Sequence, residues 1–158
     1  MKALIQRVSR AEVRVAGDVV GSIGQGLLVL VGVTPGDTGE VADYLAAKTA
    51  NLRVFDDACG VMNRSALDLL PESAGSPSIL VVSQFTLYAD CRKGRRPGYS
   101  RAAPPDLARP LVEHFIRCLR NLRIDVQTGV FGAEMAVEMV NDGPVTILLD
   151  SDELRPSV

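Results

Sequence analysis

Gly26-Leu27-Leu28-Val29-Leu30-Val31-Gly32-Val33 decides the fold. The run is apolar at successive positions, without the period-2 alternation of a half-exposed strand, and glycines bound it. It is too short for an amphipathic helix of ordinary length, so it reads as a strand covered on both faces and central in a sheet. Upstream, Ile5, Val8, Ala11, Val13 and Val15 thread a polar background, and Val13-Arg14-Val15 alternates as a half-buried strand does. Ala16-Gly17-Asp18 then supplies turn chemistry before Val19-Val20, which predicts a β-hairpin. Downstream, Asp37-Thr38-Gly39-Glu40 has the spacing of a capping box. Val41, Tyr44, Leu45 and Leu52 follow at helical spacing, predicting a helix over about 38–51.

Ile79-Leu80-Val81-Val82-Ser83-Gln84-Phe85-Thr86-Leu87-Tyr88 reads as one long strand, apolar on both faces at first and polar from Ser83. Alternation puts Gln84, Thr86 and Tyr88 on one face and Ser83, Phe85 and Leu87 on the other. A second helix follows Pro104-Pro105-Asp106, because Leu107, Leu111, Phe115, Cys118, Leu119 and Leu122 share one stripe. Pro110 either delays its start or bends it. His114 sits at the edge of that stripe and reads as a packed or surface histidine. Further strands are expected at about 124–127, 135–140 and 145–149, and a loop from Pro71 to Pro77. Two main helices among some seven strands predict an α/β protein with mixed sheets, one domain over residues 1–158.

Composition narrows the function. Of the 158 residues 47% are hydrophobic and 23% charged, ordinary for a water-soluble globular chain. No apolar run approaches the roughly 20 residues of a membrane helix, and the first residues show no secretory signal, so no membrane and a cytoplasmic location are expected. Cys59, Cys91 and Cys118 are an odd number without a Cys-x-x-Cys pair, which fits a reducing compartment. With His114 the single histidine, no metal and no cofactor are expected. A formal net charge of −2 excludes a polycationic nucleic-acid binder, so any such contact must come from a local patch.

Such a patch exists. Residues 90–101, Asp90-Cys91-Arg92-Lys93-Gly94-Arg95-Arg96-Pro97-Gly98-Tyr99-Ser100-Arg101, gather cations in a loop shaped by Gly and Pro, with Tyr99 available for stacking. It reads either as a phosphate-holding loop or as a solvated charged one. Hydrolase signatures such as Gly-x-Ser-x-Gly, His-Glu-x-x-His and the Walker loop are missing. A Cys91 thiolate with His114 as base is an alternative nucleophile. Asn141-Asp142-Gly143-Pro144 separates two predicted strands and reads as a hairpin turn.

Val82-Ser83-Gln84-Phe85-Thr86-Leu87, with its Ser-Gln-x-x-Leu pattern, and Asn141-Asp142-Gly143-Pro144-Val145-Thr146 together resemble the D-aminoacyl-tRNA deacylase family. Gln6-Arg7-Val8, Asn51-Leu52-Arg53-Val54-Phe55, Met62-Asn63, Arg96-Pro97, Ala102-Ala103-Pro104-Pro105 and Gly129-Val130-Phe131-Gly132-Ala133-Glu134-Met135 support the likeness in order. The chain departs from the family in a longer connection over Leu69 to Ser78 and at Cys91, Arg95 and Gly98. The resemblance implies a three-layer α/β/β fold and hydrolysis of the ester of D-aminoacyl-tRNA, and of glycyl-tRNA. It implies a catalytic wall of Ser83, Gln84 and Phe85, with Thr86 as pocket residue or nucleophile. It implies substrate binding by Gly143, Pro144, Arg7 and Asn141, the Gly143-Pro144 bond being cis and inserted into the other subunit of a homodimer. Arg92, Lys93, Arg95 and Arg96 would then meet tRNA. A non-catalytic tRNA-binding module is the alternative that would keep the basic loop alone.

Overall fold

The computed structural model describes residues 1–70 and 75–154. Residues 71–74 of the loop expected from Pro71 to Pro77 lie outside the described residues. The sequence folds as β1 (Lys2–Val15), β2 (Asp18–Ile23), β3 (Gly26–Gly32), α1 (Gly39–Asn51), β4 (Phe55–Asp56), β5 (Met62–Arg64), α2 (Ala66–Leu69) and β6 (Ser78–Ser83). A 3-10 helix (Phe85–Tyr88), α3 (Pro105–Asn121), β7 (Val126–Thr128), β8 (Ala136–Asp150) and α4 (Ser151–Leu154) complete it. The main sheet runs β2-β1-β3-β6-β7, with β8 also on β1.

β3 is central, as its unbroken apolar run predicts. It pairs antiparallel with β1 and parallel with β6, Gly26 opposite Ser78 and Val31 opposite Ser83. A Cβ on Gly26 would stand 1.8 Å from the Ser78 carbonyl oxygen, so only glycine lets the two strands start together. Leu27, Val29 and Val31 enter a core shared with Leu45, Phe115 and Leu119 of the two long helices. Leu28 joins Leu80, Val82, Val8, Val13 and Ile23 in a second core on the opposite face. The β1–β2 hairpin closes over that second core: a Cβ on Gly21 would meet the Thr128 carbonyl at 2.5 Å and Leu80 Cδ1 at 3.1 Å. Helices, sheet and folded-over hairpin thus stack on one another, an α/β architecture with a mixed sheet.

β1 serves both cores in turn. Ala3 and Ile5 belong to the helix-side core, Val8, Ala11 and Val13 to the other. The phase changes at Arg7-Val8, where the pairing with β8 shifts register on either side of Val8. Arg7 is therefore left buried at a bend, 8% exposed.

Three local expectations are corrected. The strand expected through Tyr88 ends at Ser83, and Phe85–Tyr88 winds into a 3-10 helix, so the two-face alternation over 83–88 does not apply. The cause is at β3: Gln84 N–H donates to the Val31 carbonyl at 2.7 Å as the last rung. Gly32, whose Cβ would lie 3.0 Å from the Gln84 carbonyl and 3.1 Å from Leu87 Cβ, then lets the chain coil directly over the strand. The segments at 135–140 and 145–149 are not two arms of a hairpin. They are one strand, β8, both halves of which pair with β1, and residues 142–145, between Asn141 opposite Val8 and Thr146 opposite Gln6, form an irregularity within it. Asp37 does not cap α1: Thr38 is the N-cap without a side-chain bond, while the Asp37 carboxylate accepts from Thr34 N–H at 2.8 Å and from the Met1 ammonium. Pro110 is accommodated inside α3. No helix among the described residues is long and apolar enough to cross a membrane.

Candidate active site

The polar end of β6 opens into a cavity of about 560 Å³. Ser83, Gln84 and Phe85 form one wall, Val31 and Val82 of the sheet lie behind them, and Ala108 and Val112 of α3 face them. Phe85 and Tyr99 meet edge to face across the rim with ring centroids 5.0 Å apart. Both are substantially exposed, Phe85 at 56%, although aromatic side chains usually bury their area. An apolar chamber with a few convergent polar groups and an aromatic lip suits a flat, partly polar ligand. Its described lining holds no carboxylate, imidazole, thiol or amine. Nothing on its wall can take a proton at neutral pH.

Of the wall amides, that of Gln84 is spent on Val31 and cannot meet a ligand. The Phe85 and Thr86 N–H groups begin the 3-10 helix, the positions that a helical turn leaves without an internal acceptor. The Gln84 side-chain amide donates to Thr86 Oγ1, which fixes both side chains. Thr86 itself does not line the cavity.

Arg7, Asn141, Gly143 and Pro144 gather elsewhere, at the β1–β8 irregularity, and line no part of that cavity within the chain. Arg7 Nε donates to the Asp142 carbonyl at 2.9 Å. Its Nη1 donates to the Val54 carbonyl at 2.6 Å and to Asp56 Oδ1 at 3.1 Å. One guanidinium fork therefore ties residues 141–144 to the segment after α1, a task for a rigid planar group. Asn141 clips the turn from within, its Oδ1 accepting from Val145 N–H at 2.8 Å and its Nδ2 donating to Thr146 Oγ1 at 3.0 Å. Gly143 has φ +138, and the Gly143-Pro144 bond is cis. A Cβ at Gly143 would stand 2.8 Å from Val145 Cγ2, 3.0 Å from Val145 N and 3.3 Å from Arg7 Nη2. Gly143 and Pro144 are exposed.

The basic loop closes on itself through a bridge between Asp90 and Gly98. Arg92, Lys93 and Arg96 line a second, open concavity with Asp90, and Arg95 is exposed in the same loop but outside that lining. Arg92 is caught by Asp90, Nε to Oδ1 at 2.8 Å and Nη2 to Oδ2 at 2.6 Å. Those side-chain bonds, with the Arg92 backbone N–H, hold the Asp90 carboxyl well below the usual carboxylate range. Among the described residues Lys93, Arg95 and Arg96 have no acid partner, whereas the charge of Arg92 is already offset by Asp90.

His114 is engaged by Asp43 and Arg117, not by Cys91. Its Nε2 lies 2.7 Å from Asp43 Oδ1, its Nδ1 is met by Arg117 Nη2 at 3.2 Å, and Cys118 Sγ donates to the same Asp43 oxygen at 2.9 Å. Cys91 is exposed. Sequence reasoning singled out neither Asp43, nor Asp56 with the Val54 carbonyl as partners of Arg7. His114 and Cys118 stood one helical turn apart in plain view, but their partner comes from another helix.

The family described as D-Tyr-tRNA(Tyr) deacylase matches residues 4–150. Among similar proteins, the D-aminoacyl-tRNA deacylase of Thermomicrobium roseum is 60% identical over 98% of this chain and 97% of its own. That of Thermosipho africanus is 55% identical over 98% and 99%. The solved structure of a c-Myc DNA Unwinding Element Binding Protein superposes with a TM-score of 0.85 at 38% identity, covering 99% of this chain and 100% of that one. A probable eukaryotic D-amino acid tRNA deacylase shares the fold, with a TM-score of 0.80 at 17% identity over 94% of this chain and 97% of that one. Fold and relatives place the molecule among hydrolases that act on ester bonds. Within that class, the chain belongs to the D-Tyr-tRNA(Tyr) deacylase family.

Proposed function

We propose that the chain, acting as one domain, cleaves the ester between a D-amino acid and the terminal ribose of tRNA, and that of glycyl-tRNA, releasing amino acid and tRNA. The observation that carries this is the cavity walled by Ser83, Gln84 and Phe85, apolar, rimmed by Phe85 and Tyr99 and without any proton acceptor on its described lining. Ester hydrolysis passes through a tetrahedral oxyanion, so fixed N–H donors at that point are the main contribution a protein can make. The first-turn amide of Phe85, which lines the cavity, is the candidate. With no base in the wall, water attacks with help from the RNA's own 2′-hydroxyl, and Thr86 serves to hold Gln84.

Handedness needs a different device. Side-chain pockets separate substrates differing by a methylene by only about 1–3 kcal/mol, so accepting many D side chains while refusing L ones requires exclusion at Cα. The exposed Gly143-Pro144 segment, held by Arg7 and Asn141 and absent from the cavity of its own chain, fits the role of a main-chain wall inserted into the cavity of a second copy. Lys93, Arg95 and Arg96 would hold tRNA phosphates, with Arg92 contributing less because Asp90 already pairs it. Incubating catalytic amounts of protein with D-tyrosyl-tRNA and L-tyrosyl-tRNA and following free tyrosine tests the reading. Rapid release from the D ester alone is expected; equal rates, or none, would overturn it.

A further inference from the structure

Outside the cavity, α1 and α3 bring together three side chains that no part of the deacylase reading uses. Asp43 lies on α1, and His114 and Cys118 stand one turn apart on α3, spacing that puts both on one helical face. Their ligand atoms all lie within 4.8 Å of one another. Two donors converge on a single oxygen, with His114 Nε2 2.7 Å and Cys118 Sγ 2.9 Å from Asp43 Oδ1. The set is one imidazole, one thiol and one carboxylate, and every member is partly or fully exposed, so a cation can reach it.

We propose that Asp43, His114 and Cys118 form a binding site for a borderline divalent transition cation of the Zn²⁺ class, which bridges α1 to α3. In a tetrahedral zinc site the bond lengths, near 2.0–2.3 Å, set the ligand atoms about 3.3–3.6 Å apart. The present separations of 2.7 and 2.9 Å need to open by less than about 1 Å, within reach of side-chain rotation at partly exposed positions. The thiol proton leaves to solvent as the thiolate binds, and the imidazole proton moves from Nε2 to Nδ1. Arg117, an exposed side chain, gives up its contact with Nδ1 to allow this. Water completes the fourth position. A soft sulfur with an imidazole disfavours Mg²⁺ and Ca²⁺, which prefer all-oxygen cages. The order of the contacts also argues against a thiol–imidazole nucleophile pair: His114 and Cys118 both meet Asp43 Oδ1, so the sulfur's hydrogen-bond partner is a carboxylate and not the imidazole.

The test uses Co²⁺ alone on the full chain carrying Cys59→Ser and Cys91→Ser, which removes the exposed thiols. Expected is one saturating equivalent, with a thiolate-to-cobalt charge-transfer band, ligand-field bands of tetrahedral intensity, displacement by one equivalent of Zn²⁺, and a raised Tm. Cys118→Ser should abolish the charge-transfer band. His114→Ala and Asp43→Asn should each weaken binding by more than about 100-fold, since even outer-shell partners of metal ligands cost 10–100-fold. Unchanged circular dichroism in these variants shows that the fold survives. No saturable binding, or a thiolate band that persists in Cys118→Ser, overturns the proposal; so does equal binding of Mg²⁺.

Discussion

Arg7→Lys isolates what the guanidinium does for residues 141–144. Arg7 is 8% exposed and reaches two carbonyls, of Asp142 at 2.9 Å through Nε and of Val54 at 2.6 Å through Nη1, with Asp56 as counter-charge. Lysine keeps the charge, but a single ammonium cannot reach both carbonyls from the same stem. One charged hydrogen bond is lost, about 1.5–3 kcal/mol. If that bond is what fixes Gly143 and Pro144 against a substrate's Cα, the loss corresponds to a roughly 10- to 150-fold fall in discrimination between D- and L-aminoacyl esters. Single-turnover deacylation of matched D- and L-tyrosyl-tRNA measures the ratio, and urea unfolding measures global stability alongside. Stability should fall by a similar energy. A ratio that stays at its wild-type value while stability falls would refute the reasoning, because the tether would then serve the fold and not the choice of hand.

Other perturbations test other joints. Gly143→Ala places a methyl 2.8 Å from Val145 Cγ2 and 3.0 Å from Val145 N at φ +138, so a strain of about 1–3 kcal/mol and a loss of D/L selectivity are expected in the same two assays. Gly32→Ala crowds the Gln84 carbonyl at 3.0 Å and Leu87 Cβ at 3.1 Å; kcat should fall more than KM rises, as the wall amide of Phe85 shifts while Tyr99 and the α3 side of the cavity stay. Asp90→Asn frees Arg92, so tRNA binding should tighten at low salt and the slope of log K against log salt should steepen by about one. The Asp90 carboxyl is depressed by Arg92, so its contribution to loop order is complete above the ordinary aspartate range and is lost only as pH falls through its own lower value. Backbone NMR of Gly98 should accordingly show the loop closed at pH 4; a midpoint at or above the usual aspartate pKa contradicts this.

The large features were legible because they depend on patterns within one segment. The apolar run at β3 could only be central, and Ala16-Gly17 could only turn. The failures share a cause: each depended on a neighbour remote in sequence. Ser83 to Tyr88 alternates like a strand, yet β3 ends at Gly32, the next carbonyl along, that of Val33, accepts from Ala103 N–H at 2.9 Å, and no side chain at Gly32 holds the segment off, so it coils instead. Asn141-Asp142-Gly143-Pro144 has hairpin chemistry, but β1 is fourteen residues long and offers both halves of β8 a partner, so the turn residues are absorbed as a kink opposite buried Arg7. That kink has a consequence for function. A hairpin tip would have stood free on its own two strands, whereas a kink within a paired strand is gripped at both ends and by the fork of Arg7. If a wall is to judge stereochemistry it must not yield by even a fraction of an ångström, and here the same departure from the local sequence signal that misled the strand assignment is what supplies the stiffness.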